Sequence, residues 1–401
     1  MRSFAAMRTV RAVLACALLP SVAWAAPAES VIGGDNAKAG RWPDVAAILF
    51  PGSGGDEALC SGTLVAPTVV LTAGHCYDAT DPPDNVVIGA STLATPDDGE
   101  TIAIASAFVF PDPETTEDLT VLVLATPSRK PPRAIATGWA STDIANGAKV
   151  ALVGFGAVNA DGDEFVNELQ EAHATITDFD CAMSSGCNEA ARPAGELGAG
   201  GDGIDTCPGD SGGPLYLTTD YGDFLAGVTS RSYDDAQLVC SEGGIYVRPD
   251  KLAGWIEQVA GVAVARGPEP AADAIHVVPG GGGDTRIVVH DPRSNDHRLE
   301  ITTPPAQGMA KVRGDGALRV CADPAAGPSS DSLTVTITDT KHAGRALTLT
   351  IPITIETGTA TGPCDLDAFA DDGGCCDAGG RSGGALPLAL GVLALILRRR
   401  R

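Results

Sequence analysis

The chain has 401 residues, enough for two domains at about 150 residues each. Its 44% hydrophobic content excludes a disordered polymer, and 49 glycines with only 19% charged residues point to a β-rich, turn-rich protein rather than a helical bundle. A net charge of -24 argues against nucleic acid and anionic lipid as partners, which so acidic a surface would repel.

Residues 1–25 combine the basic Arg2, Arg8 and Arg11 with an apolar run and then Ala23-Trp24-Ala25, a small-residue pattern for signal peptidase. The run from Ala12 to Pro20 is too short to span a bilayer, so a cleaved export signal and a secreted product are expected. Of the 11 cysteines, Cys16 leaves with that signal. The even remainder suits disulfides in an oxidising compartment. No paired C-x-x-C with zinc spacing occurs, and no metal or cofactor is called for.

From Val31 to Gly261 short apolar runs alternate with turn clusters: Ala46–Phe50, Leu64-Val65, Thr68–Leu71, Val86–Ile88 and Val121–Leu124. Such strand-length runs bounded by Gly, Pro, Asp and Ser suit an all-β barrel architecture. One helix is expected, over Asp250–Val259, closing the region. Residues 262–274, with Gly267-Pro268-Glu269-Pro270, read as a linker. Residues 275–358 carry period-2 segments at Arg286–Val289, Leu333–Thr338 and Ala346–Ile351, the pattern of a small β-sandwich. Its His276, His290, His297 and His342 read as surface residues, and its role as spacer, adhesion module or substrate-docking module stays open.

Peptide hydrolysis by a serine requires a hydroxyl next to a base, a carboxylate that orients the base, and backbone donors for the oxyanion. Three segments supply these in the order His, Asp, Ser: Leu71-Thr72-Ala73-Gly74-His75-Cys76, Asp118-Leu119-Thr120-Val121, and Cys207-Pro208-Gly209-Asp210-Ser211-Gly212-Gly213-Pro214. A lipase or esterase is disfavoured, since those enzymes run Ser, acid, His.

Together with Ser61-Gly62-Thr63-Leu64-Val65, Val153-Gly154-Phe155-Gly156 and the Trp255 helix, these segments make residues 31–261 resemble the chymotrypsin/trypsin family of serine proteases. The resemblance implies a double six-stranded β-barrel and an endopeptidase acting on protein or peptide substrates. It implies that His75, Asp118 and Ser211 form the catalytic triad and that the N–H groups of Gly209 and Ser211 form the oxyanion hole. It further implies an activation ion pair between the α-amino group of Val31 and Asp210. Residues 26–30 then form a short propeptide. Ser30 stands where the family commonly carries Arg or Lys, so an unidentified protease of another specificity is expected to remove it.

By the same resemblance Asp205 sits at the base of the primary pocket and selects Arg or Lys; the other reading is a solvated loop aspartate. Ser230, Ser232 and Gly244 are expected on the pocket walls. Arg231 and Ser232 replace the usual aromatic residue and glycine, and Arg231 is read as biasing neighbouring subsites toward acidic residues. The resemblance pairs Cys60 with Cys76 and Cys207 with Cys240. Cys181 is expected to pair locally with Cys187, and Cys321 with Cys364 in the second domain.

The tail joins a Gly/Asp/Cys-rich linker at 359–384, holding Cys375 and Cys376, to an apolar run and arginine cluster at 385–401. This order resembles the sorting tails of myxobacterial surface proteins, the MYXO-CTERM type. It implies lipid modification at a cysteine and display on the outer cell surface, with membrane contact only through the tail. A plain single-pass anchor is the other reading. For the whole chain the alternative to an enzyme is an inactive protease homologue serving as a binding module.

Overall fold

A computed structural model of the chain describes residues 31–51, 57–96, 98–112, 117–192 and 194–369. The expected export signal and propeptide, and the tail from 370 onward with Cys375 and Cys376, lie outside the described residues.

The chain is all-β, as expected. β1 (Asp35–Asn36) is followed by β2 (Val45–Phe50), β3 (Glu57–Ala66), β4 (Val69–Thr72), β5 (Asn85–Ile88), β6 (Glu100–Val109) and β7 (Thr120–Leu124). The strands β2 to β7 close into a barrel in the order β2-β3-β4-β7-β6-β5. After a short helix α1 (Gly138–Ser141) come β8 (Lys149–Gly154), β9 (Gln170–Asp178), β10 (Glu196–Ala199), β11 (Pro214–Thr219), β12 (Gly222–Ser232) and β13 (Gly244–Val247). These run β9-β10-β13-β12-β11-β8, and the β8–β9 pairing closes a second six-stranded barrel.

Barrel strands such as β2, VAAILF, are apolar almost throughout, and nearly every residue is buried. A short apolar run bounded by turns can be covered on both faces when a second layer packs outside it. That layer is the other barrel: Val45, Leu71 and Val121 of the first share one core with Val153, Tyr216 and Val228 of the second. Trp42 stacks on Tyr216 with ring centroids 4.6 Å apart, sealing the seam. The closing helix α2 (Pro249–Ala260) begins with proline at its first position and ends at Gly261 with φ +68°, the left-handed cap that glycine adopts without strain.

Beyond it, β14 (Ile275–Val277), β15 (Gly282–Arg286), β16 (His297–Thr303), β17 (Gly308–Val312), β18 (Ala317–Ala322), β19 (Ser329–Asp339) and β20 (Ala346–Ile355) form two sheets, β14-β20-β19-β16 and β15-β18-β17. In β19 the residues Leu333, Val335 and Ile337 point into the core while Thr334, Thr336 and Thr338 point outward. The expected strand at Arg286–Val289 falls at Gly282–Arg286 instead, where Thr285 and Arg286 pair with Leu318 and Ala317.

Two expectations are corrected here. Residues 262–274 are no free linker: Ala265 N–H bonds Val65 O at 2.8 Å, Gly267 N–H bonds Ile135 O at 2.9 Å, and Trp139 N–H bonds Pro268 O at 2.8 Å. A Pro/Gly-rich composition signals irregular backbone, but irregular backbone can still be fully hydrogen-bonded. His297 is no surface histidine either. Its side chain is buried beside Asp291 Oδ2 at 3.2 Å and faces Trp139. Trp139 belongs to α1, between the two barrels in sequence, yet it is buried in the sandwich core with Ile275, Leu333 and Ile351.

Candidate active site

β4 delivers the chain into one tight turn, Gly74–Cys76, which carries His75 at the rim of the first barrel. The Cys60–Cys76 disulfide ties that turn back to β3. Asp118 precedes β7 and approaches the same rim. Its Oδ2 lies 2.8 Å from His75 Nδ1, and its Oδ1 accepts the His75 backbone N–H at 2.8 Å. Ser230 Oγ donates to Asp118 Oδ2 at 2.7 Å from the second barrel. Burial pushes the Asp118 carboxyl up, but the bonds from His75 and Ser230 outweigh it and hold the group below its usual range. An ionised Asp118 can only accept, so the proton of neutral His75 belongs on Nδ1 and Nε2 is left as an acceptor.

Ser211 reaches the seam on the loop before β11. Its carbonyl accepts the Ser61 N–H from the first barrel at 2.8 Å, and Gly212 N–H donates to Thr229 O at 2.8 Å. Gly212 has φ +79°, and a Cβ there would lie 2.1 Å from Thr72 Oγ1. The loop therefore packs on the His75 strand at a distance only glycine allows. Gly209 has φ +95°, with its carbonyl held by Ser61 Oγ at 3.0 Å. The same hydroxyl accepts the Phe155 N–H at 3.2 Å.

Asp210 is fully buried behind this loop. Its carboxylate accepts the Cys207 N–H and the Gly156 N–H, each at 2.9 Å. A Cβ at Gly154 or Gly156 would collide with it at 2.2 Å and 2.5 Å, which explains the glycines in Val153-Gly154-Phe155-Gly156. Burial pushes Asp210 up to about 7 against those two N–H bonds. Val31 is also buried, within the core of the second barrel, and Ile32 O accepts the Asp205 N–H at 3.2 Å. The segment at Val31-Ile32 thus lies against the Asp205 loop.

A cavity of about 250 Å³ opens beside Ser211, with Asp205, Thr206, Ser230, Ser232 and Val239 among its walls. Asp205 is a cavity residue, not a solvated loop aspartate. Its Oδ2 accepts the N–H groups of Ser241, Glu242 and Gly243, and its Oδ1 accepts that of Thr206. Burial still pushes its carboxyl up to about 6. Gly244 lies close by: a Cβ there would sit 3.8 Å from Asp205 Oδ1. Ser232 Oγ donates to Val239 O at 3.3 Å, so this hydroxyl fastens one wall to another. Cys207–Cys240 staples the cavity, and Cys181–Cys187 and Cys321–Cys364 pair as expected.

A wider groove of about 970 Å³ continues past His75, bounded by Tyr77, Asp78, Val109, Gly186 and Arg231. Arg231 lines this groove but is held on the protein side. Its guanidinium is engaged by Glu196 at 2.8 Å, by Gly186 O at 2.7 Å and by Ser230 Oγ at 3.0 Å, so it does not reach freely toward acidic substrate groups. Neither Glu196 nor the hydroxyl of Ser61 stood out in the sequence, because each acts on a residue far away in the chain.

Fold and site define a trypsin-like serine protease domain, and the chain belongs to the trypsin family: the family model described as Trypsin matches residues 31–256. Among its relatives, mouse serine protease 56 is 31% identical over 57% of this chain, and the match spans 38% of that protein's length. A trypsin of Saccharopolyspora erythraea is 27% identical over 54% of this chain and 92% of its own. A solved structure of neuropsin, a serine protease expressed in the limbic system of mouse brain, is 26% identical. It covers 57% of this chain and 98% of its own, with a TM-score of 0.48.

Proposed function

We propose that this chain is an exported serine endopeptidase that uses His75, Asp118 and Ser211 as its triad and cleaves after Arg or Lys. The reading is carried by one observation: a buried carboxylate, Asp118, holds His75 by Nδ1 at the seam where Ser211 borders a cavity containing Asp205. Ser211 Oγ attacks the scissile carbonyl while His75 Nε2 takes its proton. Asp118 stabilises the imidazolium, and His75 then protonates the leaving amine. The N–H groups of Gly209 and Ser211 receive the oxyanion, a contribution of about 2.7–4 kcal/mol per donor. Asp205 meets the guanidinium or ammonium of the P1 side chain.

Export rests on residues 1–25, removal of 26–30 by an unidentified protease on the buried Val31, and surface display on the tail. The test is amide hydrolysis by protein beginning at Val31 on peptides with Arg, Lys, Phe or Ala at P1, beside Ser211→Ala. Cleavage after Arg and Lys that disappears in the variant supports the triad and the Asp205 pocket together. Cleavage only after Phe or Ala removes the Asp205 assignment, and no cleavage by the folded protein favours an inactive binding homologue.

A further inference from the structure

We propose that Arg231, anchored by the buried Glu196, is a positioning residue that acts through the Ser230 hydroxyl to fix the Asp118–His75 pair. The proposal rests on the reading of the site as a Ser211-dependent protease.

The geometry begins with an irregularity in β12. Its register against β13 shifts between Thr229 and Arg231, leaving Ser230 as the extra residue. Such a bulge re-aims side chains. Ser230 consequently turns to Asp118 at 2.7 Å, while Arg231 turns toward β10 and the Gly186 loop. Glu196 on β10 is 1% exposed and also accepts the Asn188 N–H at 2.7 Å. A carboxylate so deeply buried is costly without partners, and Arg231 Nη2 lies 2.8 Å and 3.0 Å from its two oxygens. Arg231 Nε and Nη2 share Gly186 O at 3.2 Å and 2.7 Å. The planar guanidinium is therefore locked, with Nη1 directed at Ser230 Oγ at 3.0 Å.

Ser230 has one proton and two lone pairs. Asp118, ionised, can only accept, so the Ser230 proton goes to Asp118 and a lone pair faces Arg231. A cationic donor on that lone pair strengthens the O–H as a donor to Asp118 and prevents the hydroxyl from rotating to another acceptor. The surroundings make this cation matter. Glu117 stands next to Asp118 in sequence, Glu196 lies behind Arg231, and Asp78 and Glu189 border the groove. Among the described residues lining that groove, Arg231 is the fixed positive charge. Because Nη1 bonds Ser230 Oγ while Nη2 meets Glu196, the pair presents its positive end to Ser230 and Asp118.

The experiment uses protein beginning at Val31 and four variants: Arg231→Met/Glu196→Gln, which removes the pair without orphaning a charge, Arg231→Lys, Ser230→Ala, and Ser230→Ala combined with the pair removal. Removing the pair is expected to lower kcat by roughly tenfold, the scale of one charge-assisted hydrogen bond, with a smaller change in KM. The rising limb of kcat/KM against pH should move up by roughly half a pH unit, because the Asp118 charge is then less shared and favours the imidazolium. Arg231→Lys should recover part of both effects. In the Ser230→Ala background, removing the pair should change neither. An equal loss in that background, or a lower kcat with an unmoved pH limb, would overturn the proposal and leave Arg231 a packing residue. If wild-type protein shows no Ser211-dependent hydrolysis, the protease reading fails separately. The proton NMR signal of His75 Nδ1–H still decides: broadened by exchange when the pair is removed, the proposal stands; unchanged, it falls.

Discussion

The indole of Trp139, carried by α1 of the protease region, faces the buried ring of His297 in the C-terminal sandwich with centroids 5.4 Å apart. Beside this contact Arg345, almost fully buried, pairs with Asp143 of the protease region and with Asp291 at 2.9 Å, and its Nε lies 3.5 Å from Asp339. Tyr221 OH adds a bond to Asp143 at 2.6 Å. Arg293 adds pairs to Asp143 at 3.2 Å and Asp220 at 3.0 Å, so the two parts of the chain are joined by an apolar contact and by several ion pairs.

Arg345→Met should therefore destabilise the whole chain by about 1–3 kcal/mol, since Asp143, Asp291 and Asp339 lose their common cation but keep bonds from Arg293, His297 and His342. Urea unfolding followed by tryptophan fluorescence and by residual activity measures this, and the two probes should move together. Loss confined to the fluorescence, with activity unfolding at its wild-type midpoint, would mean that the sandwich unfolds independently.

The burial of Asp210 predicts a pH-dependent stability that a free α-amino group at Val31 should alter. With Asp210 raised to about 7 and its ordinary value near 3.8, the folded state retains a proton that the unfolded chain releases. Stability from this group is present at low pH and is lost as pH rises from about 4 through 7. A free α-amino group at Val31 should supply the missing cation and abolish that loss. Denaturation at pH 5 and pH 8 of protein beginning at Val31, with and without N-terminal acetylation, checks the sign: only the acetylated form should weaken at pH 8.

Asp205, raised to about 6, should make P1 preference depend on pH. Above about 6 the ionised carboxylate favours Arg over Phe at P1, and below it the protonated form gives up that advantage. The ratio of kcat/KM for Arg and Phe peptides cancels the shared contribution of His75. It should fall several-fold between pH 8 and pH 5, and a flat ratio would show that Asp205 does not meet the P1 charge.

Ser61 joins the Gly209 carbonyl of one barrel loop to the Phe155 N–H of another. Ser61→Ala leaves both buried groups short of a partner, a cost of about 1–3 kcal/mol. The peptide joining Gly209 to Asp210, which lies between the two proposed oxyanion donors, then loses its anchor, so the backbone that carries both donors is less firmly held. A drop of about tenfold in kcat with little change in KM is expected from steady-state kinetics on an Arg substrate.

Much of this molecule was legible as local pattern. Runs such as Val69–Thr72 and Thr120–Leu124 are apolar because barrel strands are covered on both faces, and that shows in four or five consecutive residues. The alternation in Leu333–Thr338 shows the half-buried sandwich strand equally well. His75, Asp118, Ser211 and the surrounding glycines were visible because the packing and contacts of those loops constrain short contiguous segments. Helix α2 could be read from its proline start and glycine stop.

What the tertiary structure decided lies in contacts between residues distant in sequence. Glu196 and Arg231 meet only because β10 and β12 both flank β13, and no local pattern marks a buried glutamate as the partner of an arginine on another strand. Trp139 in the sandwich core, and Arg345 between aspartates of both regions, follow from how two separately patterned units fit together. Period and turn chemistry report which face of an element is covered. What covers it, and which charges burial brings into reach of one another, depends on distances that only the folded chain sets.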